Sequence, residues 1–366
     1  MKKHLIILSS IVAAASFASC TKEVLPTVEE NGMEIGFNAV AQKATKADGA
    51  IVTSTTFPED NTFKVWGYYD KDATAANAIN YSNTSDFMKG VKISYTTNPS
   101  NPDNKAWRNS EKSYYWPNTG AIDFVAVAPS TITTSDDSKD GFKVNDYTIA
   151  AAADATDKTR TTDLMYGHAA GMNRTTALPL AFTHALSQIA INIKTNSDYK
   201  TNDGAEFYVD SVKINNIDLS GDLTYTRSTD TGAWSDNTDL DDVLVYSTTR
   251  QEATYSAGNG ALYTEALVMI PQTFNTYVAA SGSTPSSGSK AQFEISYTLK
   301  QANSDEQSGT VYVDVPMSKV GSASSSYVWA IQTKYTYILN FKLNEITFSP
   351  TVNAWIEAQV VTSDIQ

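Results

Sequence analysis

The chain has 366 residues, a formal net charge of −13 and one cysteine. This length favours two domains, each large enough to bury a core of its own. The acidic balance argues against binding to nucleic acid and against electrostatic attachment to anionic lipid, and a single cysteine leaves no pair for a disulfide bond. Short alternating runs separated by Gly, Ser, Thr, Asn and Asp are typical of an extracellular all-β protein.

Residues 1–19 have the features of a secretory signal peptide. Lys2 and Lys3 precede an apolar run from Leu5 to Ala15, which is too short to span a membrane stably. We expect this segment to be removed on export, which would change the formal net charge from −13 to −15. No later apolar run approaches the length of a membrane-spanning helix.

Cys20 follows the small residues Ala18 and Ser19 and precedes a polar stretch, an arrangement that resembles a bacterial lipobox. Phe17 stands where that pattern usually has leucine. The resemblance implies that Cys20 is diacylated and becomes the mature N-terminus, so that its lipid attaches the protein to a membrane. The alternatives are a free thiol, or cleavage a residue or two away.

An alternating run follows, as in a strand with one buried face. Its apolar members are Met33, Ile35, Phe37, Ala39 and Ala41. Lys43 and Lys46 come next, in a stretch of small and polar residues. A trypsin-like protease could release the strand at such an exposed basic site, although composition alone favours two lysines that only solvate a loop.

The next segments predict a first β domain. Residues 62–69 predict a strand with aromatic side chains on both faces, and the apolar run at 121–129 predicts a central strand with both faces covered. Residues 130–162 are polar and predict one irregular strand near 142–149. We place a domain boundary at His184, which lies between two alternating apolar runs and is expected to be buried and hydrogen-bonded.

The second half predicts another set of short strands. Residues 266–270 predict an apolar strand, and residues 292–299 and 310–315 predict a hairpin. The last two strands alternate most clearly. One has Tyr335, Tyr337, Leu339, Phe341 and Leu343 on one face, and the other has Val352, Ala354, Ile356, Ala358 and Val360. Alternation does not decide whether the final strand joins its own sheet or the sheet of another molecule.

Several short motifs resemble the fimbrillin family of Bacteroidales, the lipoprotein-derived pilins and their Mfa-like relatives. The resemblance covers nearly the whole chain, and it rests on the order of the motifs because none of them is specific alone. The motifs are the lipobox, Trp107, Tyr114–Pro117, Ile122–Phe124, Ala128–Pro129, Asp163–Met165, Phe182–Ser187, Ile270–Gln272 and a closing Tyr-rich strand with Trp355.

The resemblance implies an all-β fold of two β-sandwich domains with transthyretin-like topology. On this basis, residues 1–19 are a lipoprotein signal peptide and 20–47 are an N-terminal segment with a removable first strand. Residues 48–184 are then the first domain and 185–366 the second. The family also implies an outer-membrane lipoprotein precursor that later lies at the cell surface or in the fimbria.

In the family, a trypsin-like protease removes the first strand, and the vacated groove accepts a C-terminal strand of another subunit. Carried over to this chain, the removable strand contains Met33, Ile35, Phe37 and Ala39, and the donor strand contains Val352, Ala354, Trp355, Ile356, Ala358 and Val360. Several relatives are cut after arginine, whereas the first arginine here is Arg108. We therefore place the cut after Lys46 or Lys43.

The expected function is that of a structural pilin subunit that supports adhesion, without catalytic residues, metal or cofactor. Its partners would be other copies of itself or related pilins, the protease, the outer membrane through the lipid, and a ligand on a host or bacterial surface. The alternative is a non-polymerising outer-membrane lipoprotein. It would be either a pilus anchor or a protein that binds glycans through exposed aromatics such as Trp66, Trp234 or Trp329.

Other chemistry has weaker support in the sequence. The acidic stretch Asp236–Asp242 could hold calcium, but its spacing fits no EF-hand loop and a solvated turn explains it better. The tripeptide at 210–212, Asp-Ser-Val, resembles a short O-glycosylation sequon and fits a plain strand equally well. An enzyme acting on glycans would need a pair of carboxylates, which no pattern selects.

Overall fold

The structure is a computed structural model of the chain. It describes residues 32–41, 57–74, 78–98, 101–151, 162–172, 174, 177–196, 206–235, 242–263, 266–275, 291–300, 305–315, 326–342 and 345–354. Every regular element within these ranges is a β-strand, which confirms the predicted all-β class. The same ranges contain no helix that is long and apolar enough to cross a membrane.

Within the described ranges, nine strands precede residue 185 and fourteen follow it. The first nine are β1 (Phe37–Ala41), β2 (Thr62–Asp70), β3 (Ser85–Asn98), β4 (Asn101–Arg108), β5 (Ala121–Ala128), β6 (Ser135–Ser138), β7 (Gly141–Thr148), β8 (Met165–Met172) and β9 (Leu178–His184). The others are β10 (Ser187–Thr195), β11 (Glu206–Ile217), β12 (Ser220–Thr226), β13 (Thr231–Trp234), β14 (Asp242–Ser247), β15 (Gln251–Glu252), β16 (Ala261–Leu262), β17 (Leu267–Met269), β18 (Gln272–Asn275), β19 (Gln292–Lys300), β20 (Gln307–Asp314), β21 (Ser326–Trp329), β22 (Thr333–Lys342) and β23 (Glu345–Ala354).

Seven strands of the first half form a closed sheet, which we call the N-terminal barrel. Their order is β1, β4, β3, β2, β5, β8 and β9, and β9 pairs with β1 to complete the circle. The β1 and β9 strands are parallel, with Phe37 opposite Leu178 and Ala41 opposite Phe182, whereas β1 and β4 are antiparallel. The barrel is therefore closed by β1.

The central strand β5 separates two hydrophobic cores. Phe124 and Ala126 lie in the barrel core, whereas Val125 and Val127 belong to a second, larger core. All eight residues of β5 are buried, which confirms the prediction of a strand covered on both faces. The alternation of side chains along a strand places successive residues in different cores.

The second core joins the two halves of the chain. Trp66 of β2 stacks on Phe142 of β7 with ring centroids 5.9 Å apart, and Phe142 stacks on Tyr225 of β12 at 5.2 Å. The strand predicted near 142–149 is β7, and it pairs with β12 in a sheet of order β13, β12, β7, β6. Since this sheet combines strands from both sides of His184, a domain boundary at that residue stays a prediction.

Two further sheets lie in the second half. One has the order β16, β10, β22, β23 with β17 also paired to β10, and the other has the order β14, β11, β19, β20 with β15 also paired to β11. A separate pair is formed by β18 and β21. The antiparallel pairing of β19 with β20 confirms the predicted hairpin. At one edge of its sheet, β23 pairs with β22 along its whole length, from Glu345 opposite Lys342 to Ala354 opposite Thr333.

Candidate functional site in the groove of the first strand

The strand β1 and the residues just before it occupy a groove in the wall of the N-terminal barrel, which we call the β1 groove. It lies between β4 and β9. The side chains that fill it are buried, and they are Ile35, Phe37, Ala39 and Ala41. Met33 differs from the predicted alternation, since its side chain is 38% exposed. The inward face therefore begins at Ile35.

Phe37 is the largest of the groove-filling side chains. Its ring meets the rings of Phe124 and Phe63 edge to face, with centroids 5.5 Å and 6.0 Å apart. Such aromatic pairs add stabilisation beyond the burial of apolar area. Because Ala39 and Ala41 bury little side-chain surface, Ile35 and Phe37 supply most of the apolar contact that holds the segment in the groove.

Main-chain hydrogen bonds hold the residues that precede β1 on both sides. The donors and acceptors are Ile35 N–H to the Tyr114 carbonyl (2.7 Å), Trp116 N–H to the Met33 carbonyl (2.9 Å) and Leu178 N–H to the Gly36 carbonyl (2.8 Å). Such bonds do not depend on side-chain identity, so another extended segment could make them in the same place. The groove is therefore suited to any strand with matching inward side chains.

Glu34 adds a charged contact at the start of the groove. Its Oε2 accepts hydrogen bonds from Asn98 Nδ2 and from Arg108 Nη1, the latter at 2.5 Å, and its Oε1 accepts one from Ser113 Oγ at 2.9 Å. The Arg108 side chain is 5% exposed and that of Glu34 is 16% exposed, so this ion pair is largely desolvated. The sequence analysis missed this cluster, because only the fold brings residues this far apart in the chain together.

The other predicted site residues are not brought together with the groove. Cys20, Lys43 and Lys46 lie outside the described residues, and so do Trp355, Ile356, Ala358 and Val360 of the predicted donor strand. Val352 and Ala354 belong to β23, where they pair with Tyr335 and Thr333 of β22 in their own sheet. The structure thus describes the groove and the start of the predicted donor, with that start paired inside the same molecule.

Two aspartate and histidine pairs with buried aspartates support the fold elsewhere. His184 Nδ1 lies 2.6 Å from Asp163 Oδ2 with both side chains buried, which confirms the prediction that His184 is a packed, hydrogen-bonded residue. Asp123 lies 3.0 Å from His168 Nε2 and accepts a hydrogen bond from Tyr81 at 2.8 Å. Burial, and secondly this bond, raises the pKa of Tyr81 above its ordinary value. Both pairs act as internal polar contacts of the fold.

The aromatic glycan-binding surface that the sequence suggested is not formed by the three tryptophans. Trp66 and Trp329 are buried, and Trp329 donates a hydrogen bond to Tyr337 at 2.9 Å. Trp234 is partly buried and donates to the Ala185 carbonyl at 2.6 Å. That prediction was wrong for Trp66 and Trp329, because alternation in a sequence does not show which face of a strand another sheet covers.

Metal binding and modification have little support in the described part of the chain. No group of three or more His, Cys, Asp or Glu side chains there is arranged to hold a metal ion. The predicted acidic stretch lies outside the described residues except for Asp242 at the start of β14. The tripeptide at 210–212 lies within β11, where Asp210 accepts a hydrogen bond from Thr298 at 2.6 Å.

Comparison with known proteins gives one family. A family model described as fimbrillin-like matches residues 45–355. A fimbrial protein from Bacteroides vulgatus is similar in structure, with 18% identity, 80% of this chain and 92% of that chain covered, and a TM-score of 0.52. A candidate cell adhesion protein from Bacteroides ovatus has 14% identity, with 91% and 100% covered and a TM-score of 0.50. At these identities the two structures support the fold alone. No curated protein matches the sequence.

Proposed function

Because the chain belongs to the fimbrillin-like family, whose role is fimbrial or adhesive at the cell surface, we propose that it is a structural pilin subunit activated by loss of its first strand. It is exported as a lipoprotein through Cys20 and cut after Lys46 or Lys43. It then polymerises when the C-terminal segment of one copy enters the β1 groove of the next. This role needs no catalysis.

The position of β1 is the observation that carries the proposal. It closes the N-terminal barrel between β4 and β9, yet its only covalent connection to the other strands of the barrel is residues 42–61. A cut after Lys43 or Lys46 separates β1 from the barrel covalently and leaves every described strand intact. Its removal would leave β4 and β9 as unpaired edges with an apolar trough between them, which favours capture of another strand.

The extent of the family match supports the same division. It begins at residue 45, beside Lys43 and Lys46, and it ends at Trp355, directly after β23. The part shared with the family thus leaves out β1 and the residues after 355. The residues left out therefore include β1 and all of the proposed donor except Trp355.

The pairing of β23 shortens the proposed donor. Since Glu345–Ala354 already pairs with β22, we assign the donor role to residues 355–366, with Ile356, Ala358 and Val360 as its alternating members. Residues 355–366 are long enough to replace the segment from Glu34 to Ala41. Val352 and Ala354 would then stay in their own sheet and fix the position from which the donor extends.

An anchor subunit that keeps β1 is the second candidate. It is favoured by the completeness of the closed barrel, to which β1 contributes the buried Phe37 and the residues just before it contribute the desolvated ion pair of Glu34. Such a subunit would remain attached through Cys20 and would join a fimbria by donating its own C-terminal segment to a cut subunit, without being cut itself. The two candidates differ in the fate of β1 on the cell.

Blocking the cut should separate these candidates. We expect the double substitution Lys43→Gln and Lys46→Gln to leave residues 20–46 on the surface protein and to abolish polymers, because β1 then stays covalently attached in its groove. The measurement is mass spectrometry of the surface protein together with a mildly denaturing gel. Lys89→Gln, at a lysine with a 79% exposed side chain, is the matched control and should leave both readouts unchanged. If the double variant were still cut to the same N-terminus as the wild-type protein, neither lysine would be the cleavage site.

A further inference from the structure

The cluster around Glu34 differs from the apolar part of the groove, because its donors recognise a negative charge. Three side chains converge on the Glu34 carboxylate: Asn98 at the end of β3, Arg108 at the end of β4, and Ser113 in the following loop. All three donors belong to the wall of the groove and none belongs to the segment before β2. They would therefore stay in the barrel when β1 leaves.

Loss of β1 would remove the carboxylate from a nearly buried guanidinium. A desolvated cation is strongly destabilised when its acidic partner is taken away. A strand that enters the groove with a carboxylate at the position of Glu34 restores the contact. A strand with an apolar residue there places that residue against the charged group and does not replace the Glu34 carboxylate.

We infer that Asn98, Arg108 and Ser113 form a carboxylate-binding site that sets the register of the incoming strand, and that its ligand is Glu357 of a second copy. The inference rests on the proposed function and names the contact that selects the donor. Glu34 directly precedes the inward residues, and Glu357 directly precedes Ala358 and Val360.

A register shifted by two residues would keep the same face of the donor strand inward. The two registers differ in the residue that they place against Arg108. With Glu357 in the place of Glu34, Ala358 and Val360 take the places of Ile35 and Phe37. A shift of two residues keeps the same face inward and puts Ile356 in the place of Ile35. It also places Trp355 against Arg108, which charge recognition disfavours. Electrostatic contacts of this kind commonly fix one register at an interface whose apolar contacts would allow several registers.

The test uses the full chain with a protease site inserted after Lys46, so that β1 can be released from the folded protein. A fluorescent peptide of residues 353–366 is added in excess, and its capture is followed by anisotropy. We expect the wild-type peptide to bind about tenfold more tightly than the Glu357→Gln peptide, because hydrogen bonds to a charged group are the stronger ones. The matched control is the same peptide with an amidated C-terminus, which loses one negative charge beyond the place of Ala41 and should bind like wild type.

A double-mutant cycle, in which the chain that binds the peptide is also changed, completes the test. In an Arg108→Gln chain the preference for Glu357 over glutamine should disappear, since the two changes remove the same contact. If that chain does not fold, the three peptides on the wild-type chain still decide the question. Equal capture of the wild-type and Glu357→Gln peptides would overturn the carboxylate site while leaving strand exchange intact. No capture of the wild-type peptide would overturn the proposed function itself.

Discussion

A chain that stops at Ala354 is expected to fold normally and to form no polymers. Residues 345–354 complete β23 and pair with β22, so the truncation leaves the described sheets intact. It removes the whole segment that we propose to enter the β1 groove of the next subunit. The expected results are loss of the ladder on a mildly denaturing gel and a thermal midpoint within about 2 °C of the full chain.

A scrambled tail provides the control for this truncation. Residues 355–366 are kept in composition but rearranged so that Glu357 and the alternation of Ile356, Ala358 and Val360 are lost. This variant should also fail to polymerise, which would assign the effect to the order of the residues rather than to the length of the tail. A ladder formed by the truncated chain would show that residues 355–366 are not the donor.

The substitution Phe37→Ala should lower the free energy of unfolding of the uncut chain by about 3–5 kcal/mol. Phe37 is buried in the barrel core and packs edge to face on Phe63 and Phe124, so its truncation leaves a cavity that the closed barrel cannot easily refill. Urea unfolding followed by tryptophan fluorescence measures the difference, since Trp107 and Trp116 also lie in this core. The denaturant slope should be unchanged.

Met33→Ala is the control for Phe37→Ala. It also shortens an apolar side chain in this segment, but Met33 is 38% exposed. We expect it to change the free energy of unfolding by less than about 1 kcal/mol. If the two substitutions had the same small effect, β1 would not contribute to the barrel core, and the groove would not be a site of tight strand binding.

Local pattern is sufficient to predict most of the strands. The alternation of Ile35, Phe37 and Ala39 predicts a strand with one buried face, and the continuous apolar run of β5 predicts coverage on both faces. These predictions succeed because the period of two is a property of each strand alone. Assignment of strands to sheets is not local. The pairing of β7 with β12 places Phe142 on Tyr225, a contact that no spacing in the sequence indicates.

The candidate site was predicted only in its apolar part. The period of two predicts Ile35, Phe37 and Ala39 as inward residues, whereas Glu34 is only a polar residue between Met33 and Ile35. Glu34 belongs to the site through its contact with Arg108. That contact exists only after β3 and β4 have formed beside β1. Charged residues on the outward face of a strand are usually solvated, so a single sequence gives no reason to select this one.

The central claim is that the mature subunit lacks β1, and the most direct measurement is mass spectrometry of the protein on intact cells, read beside a heat-tolerant ladder on a gel. We predict a mature N-terminus at Ala47, or at Ala44 if the cut follows Lys43, together with a ladder of polymers. An intact chain that begins at acylated Cys20 and is found only as a monomer would contradict the claim, and would leave an anchor or another non-polymerising surface lipoprotein.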